Sequence, residues 1–253
     1  MGMRIVIGMA AAAIGLYALA CLGLYLAQRS LIFFPQPRRF GSDASVVRMQ
    51  INGVQLMVSN RPHKGAKAVL YFGGNAEDVS GSLPALAAAF PDQAVYLLHY
   101  RGYGGSAGKP TQADLFADAL ALFDKLHAEH ADITVIGRSL GSGVATHVAS
   151  HRPAARLVLV TPYDSIAGIA AVQFPIFPVQ FLLTDKFETW RDAPQIAVRT
   201  TIIAAQNDEM IPGSSSRLLF SRFKPGIARY VEIPDTGHNT ISDSPAYPPA
   251  LVQ

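Results

Sequence analysis

Ile133-Thr134-Val135-Ile136-Gly137-Arg138-Ser139-Leu140-Gly141-Ser142-Gly143-Val144-Ala145 decides how the rest of the chain is read. The continuous apolar run over 133–136 suits a strand buried on both faces. It enters Gly-x-Ser-x-Gly at 137–141, and small residues follow, as a helix starting hard against a sheet requires. Ser139 therefore stands at a sharp strand-to-helix turn, its hydroxyl at the carboxyl end of a sheet and at the positive end of a helix dipole. Ser142 lies three residues into the helix and points away from that turn.

Working outward, further short apolar runs over 68–72, 94–99, 157–160 and 201–205 have the same two-sided character. Helical patterns over 83–90, 112–130, 140–150 and 214–223 lie between them, which gives the βαβ alternation of a doubly wound, mostly parallel α/β sheet. The runs 46–51 and 54–59 flank Asn52-Gly53 and predict a β-hairpin. At 253 residues, 50% hydrophobic and 15% charged, the chain suits one large α/β domain and excludes a disordered or coiled-coil protein.

The net charge of +3 does not mark a nucleic-acid binder. Residues 1–48 hold five arginines against one acid, so the remainder is slightly acidic. A phosphate-binding face would need its basic residues on the folded part, whereas this distribution suits lipid headgroups. Residues 5–26 contain no charge and, at about 1.5 Å per residue, reach across a hydrocarbon core of about 30 Å. The run exceeds the apolar region of a cleaved signal peptide, and Leu22 to Leu26 prolong it past Cys21, against a lipoprotein signal ending there. Residues 1–27 thus form a single-pass membrane anchor. Arg29, Arg38 and Arg39 outnumber Arg4 and the amino terminus, which by the positive-inside rule keeps the domain cytoplasmic. A signal-anchor at the extreme N-terminus exports the domain behind it, so the two rules point to opposite sides. Residues 28–45 are a connector whose Phe33 and Phe34 dip into the interface while its arginines stay wet. The folded domain spans 46–253. Cys21 is the sole cysteine and forms no internal disulfide.

A serine hydroxyl becomes a nucleophile only beside a base oriented by a carboxylate. The strand over 201–205 ends in Gln206-Asn207-Asp208, and the run over 230–233 ends in Pro234-Asp235-Thr236-Gly237-His238. Asp208 and His238 therefore sit in loops at the same sheet edge as Ser139, in the order Ser, Asp, His that α/β-hydrolases use. His99, at a strand end, is the rival base; His127, His130, His147 and His151 fall on helices, and His63 in a linker. Glu209, Asp235 and Asp185 are the fallback carboxylates. An oxyanion hole takes one backbone N–H from the residue after the nucleophile, Leu140, and one from the loop Gly73-Gly74-Asn75-Ala76, where Asn75 is favoured. No Gly-Lys-Ser/Thr follows that loop, against a phosphate-binding function.

These segments resemble the membrane-anchored branch of the α/β-hydrolase-domain proteins, whose eukaryotic relatives include protein depalmitoylases. The resemblance covers about residues 28–245. It is carried by Gln28-Arg29 through Pro35, Gly74-Asn75-Ala76, Tyr100-Arg101-Gly102-Tyr103-Gly104-Gly105-Ser106, residues 137–143, Thr161-Pro162-Tyr163-Asp164-Ser165 and Gly237-His238-Asn239. It implies an α/β-hydrolase fold with Ser139 as nucleophile, Asp208 as acid and His238 as base. Two departures stand out: Gly73 replaces a histidine common among relatives, and the tail from Ser244 to Pro249 replaces or truncates the usual final helix. Between 162 and 194 the strand-helix alternation pauses for a cap insertion. Its run 174–183 has one polar residue, Gln180, and is expected to be buried, with Phe174, Phe177 and Phe181 lining an acyl pocket or meeting the bilayer. The sequence thus points to a membrane-anchored serine hydrolase of an acyl ester or thioester, with no metal or organic cofactor implied. A peptidase, an acyltransferase and a silent membrane scaffold are the competing readings, and the oligomeric state is left open.

Overall fold

The computed structural model describes residues 2–42 and 45–253. A helix, α1 (Gly2–Ile32), leads in, running past the anchor boundary expected after residue 27. The strands β1 (Val46–Ile51), β2 (Val54–Arg61), β3 (Lys67–Phe72), β4 (Ala94–His99), β5 (Asp132–Arg138), β6 (Arg156–Val160), β7 (Thr200–Ala205) and β8 (Ala228–Ile233) form one sheet in the order β1-β2-β4-β3-β5-β6-β7-β8. The pairs β1–β2 and β2–β4 are antiparallel and all others parallel. The hairpin turns at Asn52 and Gly53, both at positive φ (48° and 76°), the geometry that matches the twist of its strands.

Every residue of β4, β6 and β7 is buried, because helices cover both faces. One face carries α3 (Gln112–His127) and α4 (Leu140–His151), with Leu115, Leu122, Phe123, Val144 and Val148 packed on Leu70, Phe72 and Leu98. The other carries α2 (Leu83–Ala89), with Leu86 against Val69, Tyr71, Val95 and Leu97. The insertion between β6 and β7 holds α5 (Ile166–Gln173), α6 (Val179–Leu182) and α7 (Thr189–Asp192), and α8 (Gly213–Phe220) precedes β8. The tail forms a short α9 (Tyr247–Val252), tied to β6 by the Arg156 guanidinium, which donates to the carbonyls of Leu251 and Val252.

Two expectations are corrected. The run 174–183 is largely uncovered: Ile176 is 72% and Phe181 88% exposed, since α5 and α6 project from the sheet and present that side outward. Phe33 does not dip into an interface; it is buried in the core, edge-on to Phe187 at 6.2 Å. The apolar part of α1 is long enough to cross a membrane, and most of its side chains are exposed, with Cys21 and Leu24 partly covered.

Candidate active site

The sheet order reverses at β3, with β4 on one side and β5 on the other, and the crevice at the carboxyl ends of β3 and β5 is where such sheets take ligands. Asn75 follows β3 there and Ser139 follows β5. Close packing explains the glycines around the serine. A side chain on Gly137 would run into the Gly141 carbonyl, and one on Gly141 would run into the Phe72 carbonyl. Ser139 itself is held at φ 49°, a left-handed conformation that costs a non-glycine residue about 1–3 kcal/mol and lifts its hydroxyl out of the turn. Ser142 is buried and spends its hydroxyl on the Ser139 carbonyl at 2.6 Å.

The loops after β7 and β8 bring Asp208 and His238 to this turn. His238 Nε2 lies 2.9 Å from Ser139 Oγ, and His238 Nδ1 lies 3.0 and 2.9 Å from the two carboxylate oxygens of Asp208. An ionised carboxylate only accepts, so Nδ1 carries the proton and the Nε2 lone pair faces the serine hydroxyl. Asp208 Oδ1 also accepts the N–H groups of Met210 and Ile211, which fix the carboxylate in place. Both side chains are almost wholly buried, at 4% exposure each, so the pair works with little competition from water.

The fallback groups lie elsewhere. Glu209 accepts the backbone N–H of His238, a bond that lowers its pKa, and does not touch the ring. Asp185 accepts from Arg29 and from the Gln112 N–H, and the Asp235 N–H donates to Gln206. His99 is buried beside Ser59 and under Gly104, and burial lowers its pKa from 6.5 to about 4. Below pH 6.5 the unfolded chain binds a proton there that the folded chain refuses, so stability is full above that value and is lost on acidification toward 4. Unfolding free energies at pH 7 and pH 5 are expected to differ by about 2 kcal/mol from this residue, a difference that shrinks in His99→Gln. An unchanged pH dependence in that variant would show the burial cost is small.

The loop after β3 is braced from three directions. Glu77 accepts the Gly74 N–H at 2.7 Å and the hydroxyls of Tyr71 and Ser82, and lies 3.7 Å from Arg138. Asn75 Oδ1 accepts the Tyr103 hydroxyl and the Phe34 N–H. Tyr103 belongs to the Tyr100–Ser106 segment, which thus serves as a frame for the site. The Tyr100 hydroxyl donates to the Gly73 carbonyl, and a side chain on Gly73 would run into Val79, which accounts for glycine there.

Two cavities meet at Ser139. One, of about 300 Å³, is apolar and runs between α1 and the insertion; Leu24, Leu31, Ile166, Ile169, Phe174 and Phe177 contribute to its walls, with Asn75 and Leu140 beside the serine. The other, of about 530 Å³, is the more polar of the two, with Glu77, Arg138, His238 and Asn239 around it beside Phe34 and Met210. Of the predicted site residues, the structure gathers Ser139, Asp208, His238, Leu140, Asn75, Phe174 and Phe177, whereas Phe181 points outward and forms no wall. Sequence reasoning missed Leu24, Leu31 and Ile32, because the apolar spacing of α1 is that of any membrane segment, and it gave Phe34 to the membrane interface where the structure makes it a cavity wall. Away from the site, His147, His151 and Asp192 each place a ligand atom within 4.8 Å of the others, though His147 and Asp192 already bond to one another at 2.9 Å.

A family model described as serine aminopeptidase, S33, matches residues 64–184. An uncharacterized protein of Mycobacterium tuberculosis is 35% identical over 229 residues, covering 84% of this chain and 80% of that one. The lysophosphatidylserine lipase ABHD12 of Macaca fascicularis is 30% identical over 151 residues, 52% of this chain and 38% of that protein. Among solved structures, an esterase of Pyrococcus furiosus superposes with a TM-score of 0.70 at 18% identity, covering 87% of this chain and 96% of that one.

Proposed function

Because the chain belongs to the α/β-hydrolase family, we propose that it is a membrane-anchored serine hydrolase that cleaves the ester or thioester of an acyl chain. The observation that carries this reading is the 2.9 Å approach of His238 Nε2 to Ser139 Oγ at the floor of an apolar cavity. Ser139 Oγ attacks the acyl carbonyl carbon while His238 Nε2 takes its proton, and Asp208 stabilises the imidazolium that forms. The negative charge moves to the carbonyl oxygen, facing the N–H groups of Leu140 and Asn75. His238 returns the proton to the departing alcohol or thiol, leaving an acyl-Ser139. Water then adds to that ester, gives a proton to His238, and the acid leaves as the proton returns to Ser139.

The division of the site sorts the two halves of the substrate. An acyl chain suits the cavity between Leu24 and Phe177, and a polar leaving group suits the one beside Arg138 and Asn239. An aminopeptidase would need a free acid to hold the substrate ammonium. Glu77, the carboxylate of the polar cavity, is engaged by Gly74, Tyr71, Ser82 and Arg138, which favours the acyl substrate. The lipase and esterase named among the similar proteins agree with that choice.

A methylene moved into such a cavity contributes about 0.8 kcal/mol. Lengthening a p-nitrophenyl ester from two to eight acyl carbons is therefore expected to raise kcat/KM well over tenfold. The series belongs on the full-length chain in detergent, since removing residues 1–27 would strip Leu24 from the cavity wall. A flat or falling trend would rule out the acyl cavity and return weight to a small ester or a peptide.

A further inference from the structure

Two parts of the chain are free of charge over 24 and 20 residues. In α1 no charged residue occurs from Ile5 to Gln28, and in the insertion none occurs from Ser165 to Thr184. The first charges beyond each, Arg29 and Asp185, pair with one another at 3.1 Å, so the two apolar segments end at one level. They are also joined along their length. The Tyr17 hydroxyl donates to the Ile176 carbonyl at 2.7 Å and the Tyr17 ring stacks on Phe177 at 5.9 Å. Gln28 donates to the Leu182 carbonyl and accepts both the N–H and the hydroxyl of Thr184.

Length then decides where the insertion must lie. Tyr17 and Gln28 are eleven residues apart, about 16 Å along a helix, which is close to half of a hydrocarbon core of about 30 Å. The uncharged stretch between Arg4 and Tyr17, residues 5–16, extends only about 18 Å and does not cross that core alone. A spanning α1 with Arg29 at the surface brings Tyr17 near the midplane, and Ile176 and Phe177 come with it. The insertion suits that setting: Val172, Ile176 and Phe181 are its most exposed large hydrophobic side chains, and the N–H groups of Phe174, Phe177, Val179, Phe181, Leu182 and Leu183 have carbonyl partners. Pro175 and Pro178 have no N–H to satisfy.

Resting on the acyl-hydrolase reading, we infer that the insertion is immersed in one leaflet alongside α1, so that the apolar cavity opens into hydrocarbon and the substrate is a bilayer lipid ester drawn in sideways. The walls of that cavity come from these same two segments, Leu24 and Leu31 on one side and Phe174, Phe177 and Leu182 on the other. Ser139 lies at its inner end, where the polar cavity begins and where water and the leaving group are accommodated. The acyl chain thus passes from lipid to protein without crossing water, and the ester bond reaches Ser139 where the two cavities meet.

The test uses the full chain in phosphatidylcholine vesicles. Trp190 is the sole tryptophan, so Trp190→Phe combined with Phe181→Trp places one fluorophore on the immersed face. The expected result is blue-shifted emission that loses at least half its intensity when the lipid acyl chains carry bromine. Emission as in water, unaffected by brominated lipid, would overturn the immersion, and this readout does not depend on activity. In a second arm, Ile176→Asp with Phe181→Asp is expected to slow hydrolysis of a long-chain ester held in the vesicles at least tenfold, with a short water-soluble ester cleaved at the normal rate. Equal rates on the vesicle-held ester would overturn lateral entry. If the unmodified chain cleaved neither ester while quenching persisted, the lipid-ester substrate would fall with the hydrolase reading and the immersion alone would stand.

Discussion

Ser139→Ala is expected to lower kcat on a medium-chain p-nitrophenyl ester by about 10⁶, the loss that removal of the nucleophile causes in a comparable triad. The size of the effect follows from the chemistry left behind. Without Oγ there is no acyl-enzyme, and His238 faces a methyl group in place of a hydroxyl 2.9 Å away. Only the apolar cavity and the backbone N–H groups remain to assist direct attack by water. The fold should be unaffected, because the Ser139 hydroxyl serves no structural contact besides His238 among the described residues, and alanine at φ 49° is strained no more than serine. A fluorophosphonate probe gives an independent readout: Oγ attacks phosphorus and fluoride leaves, so the unmodified chain is labelled and the variant is not. Retention of more than a tenth of the activity, or labelling of the variant, would move the nucleophile elsewhere in the chain.

Asp208→Asn is expected to cost about 10⁴ in kcat, through a change of tautomer. The carboxamide has no freedom to choose its orientation. Its oxygen is claimed by the N–H groups of Met210 and Ile211, which Asp208 Oδ1 accepts at 3.0 and 2.7 Å, so its NH₂ takes the position of Oδ2, 2.9 Å from His238 Nδ1. A donor there turns Nδ1 into an acceptor and moves the ring proton to Nε2, which then faces Ser139 and cannot take its proton. Glu209→Gln is the matched control. Its carbonyl oxygen still accepts the His238 N–H, and it lies off the ring, so kcat should stay within a few-fold of normal. A tenfold loss or less in Asp208→Asn, or an equal loss in Glu209→Gln, would show that the carboxylate does not set the tautomer.

The sheet was legible because its inner strands are apolar on both faces and therefore continuous in sequence, and because Asn52-Gly53 specifies its own turn. The positions of Ser139, Asp208 and His238 were legible for a related reason. Each follows a recognisable strand, and parallel strands deliver their carboxyl ends to one edge, so three distant loops converge by topology alone. Gly137 and Gly141 announced the turn because no side chain fits between Phe72, Ala145 and the helix start. Burial across the insertion was another matter. Residues 174–183 are apolar enough for a core, and apolarity drives a side chain out of water without saying whether protein or lipid receives it. The structure turns Phe181 outward and Phe177 inward, and it makes Leu24, Leu31 and Phe34 walls of the cavity by docking α1 through Tyr17, Gln28 and Arg29. Those contacts link residues more than 150 positions apart, a separation at which local periodicity carries no information. The sheet, the turn and the chain order of the reactive groups could be read from local residues, since these depend on neighbours a few positions away; which apolar faces enclose the cavity follows from how two uncharged segments pack against each other, a contact visible only in the folded chain.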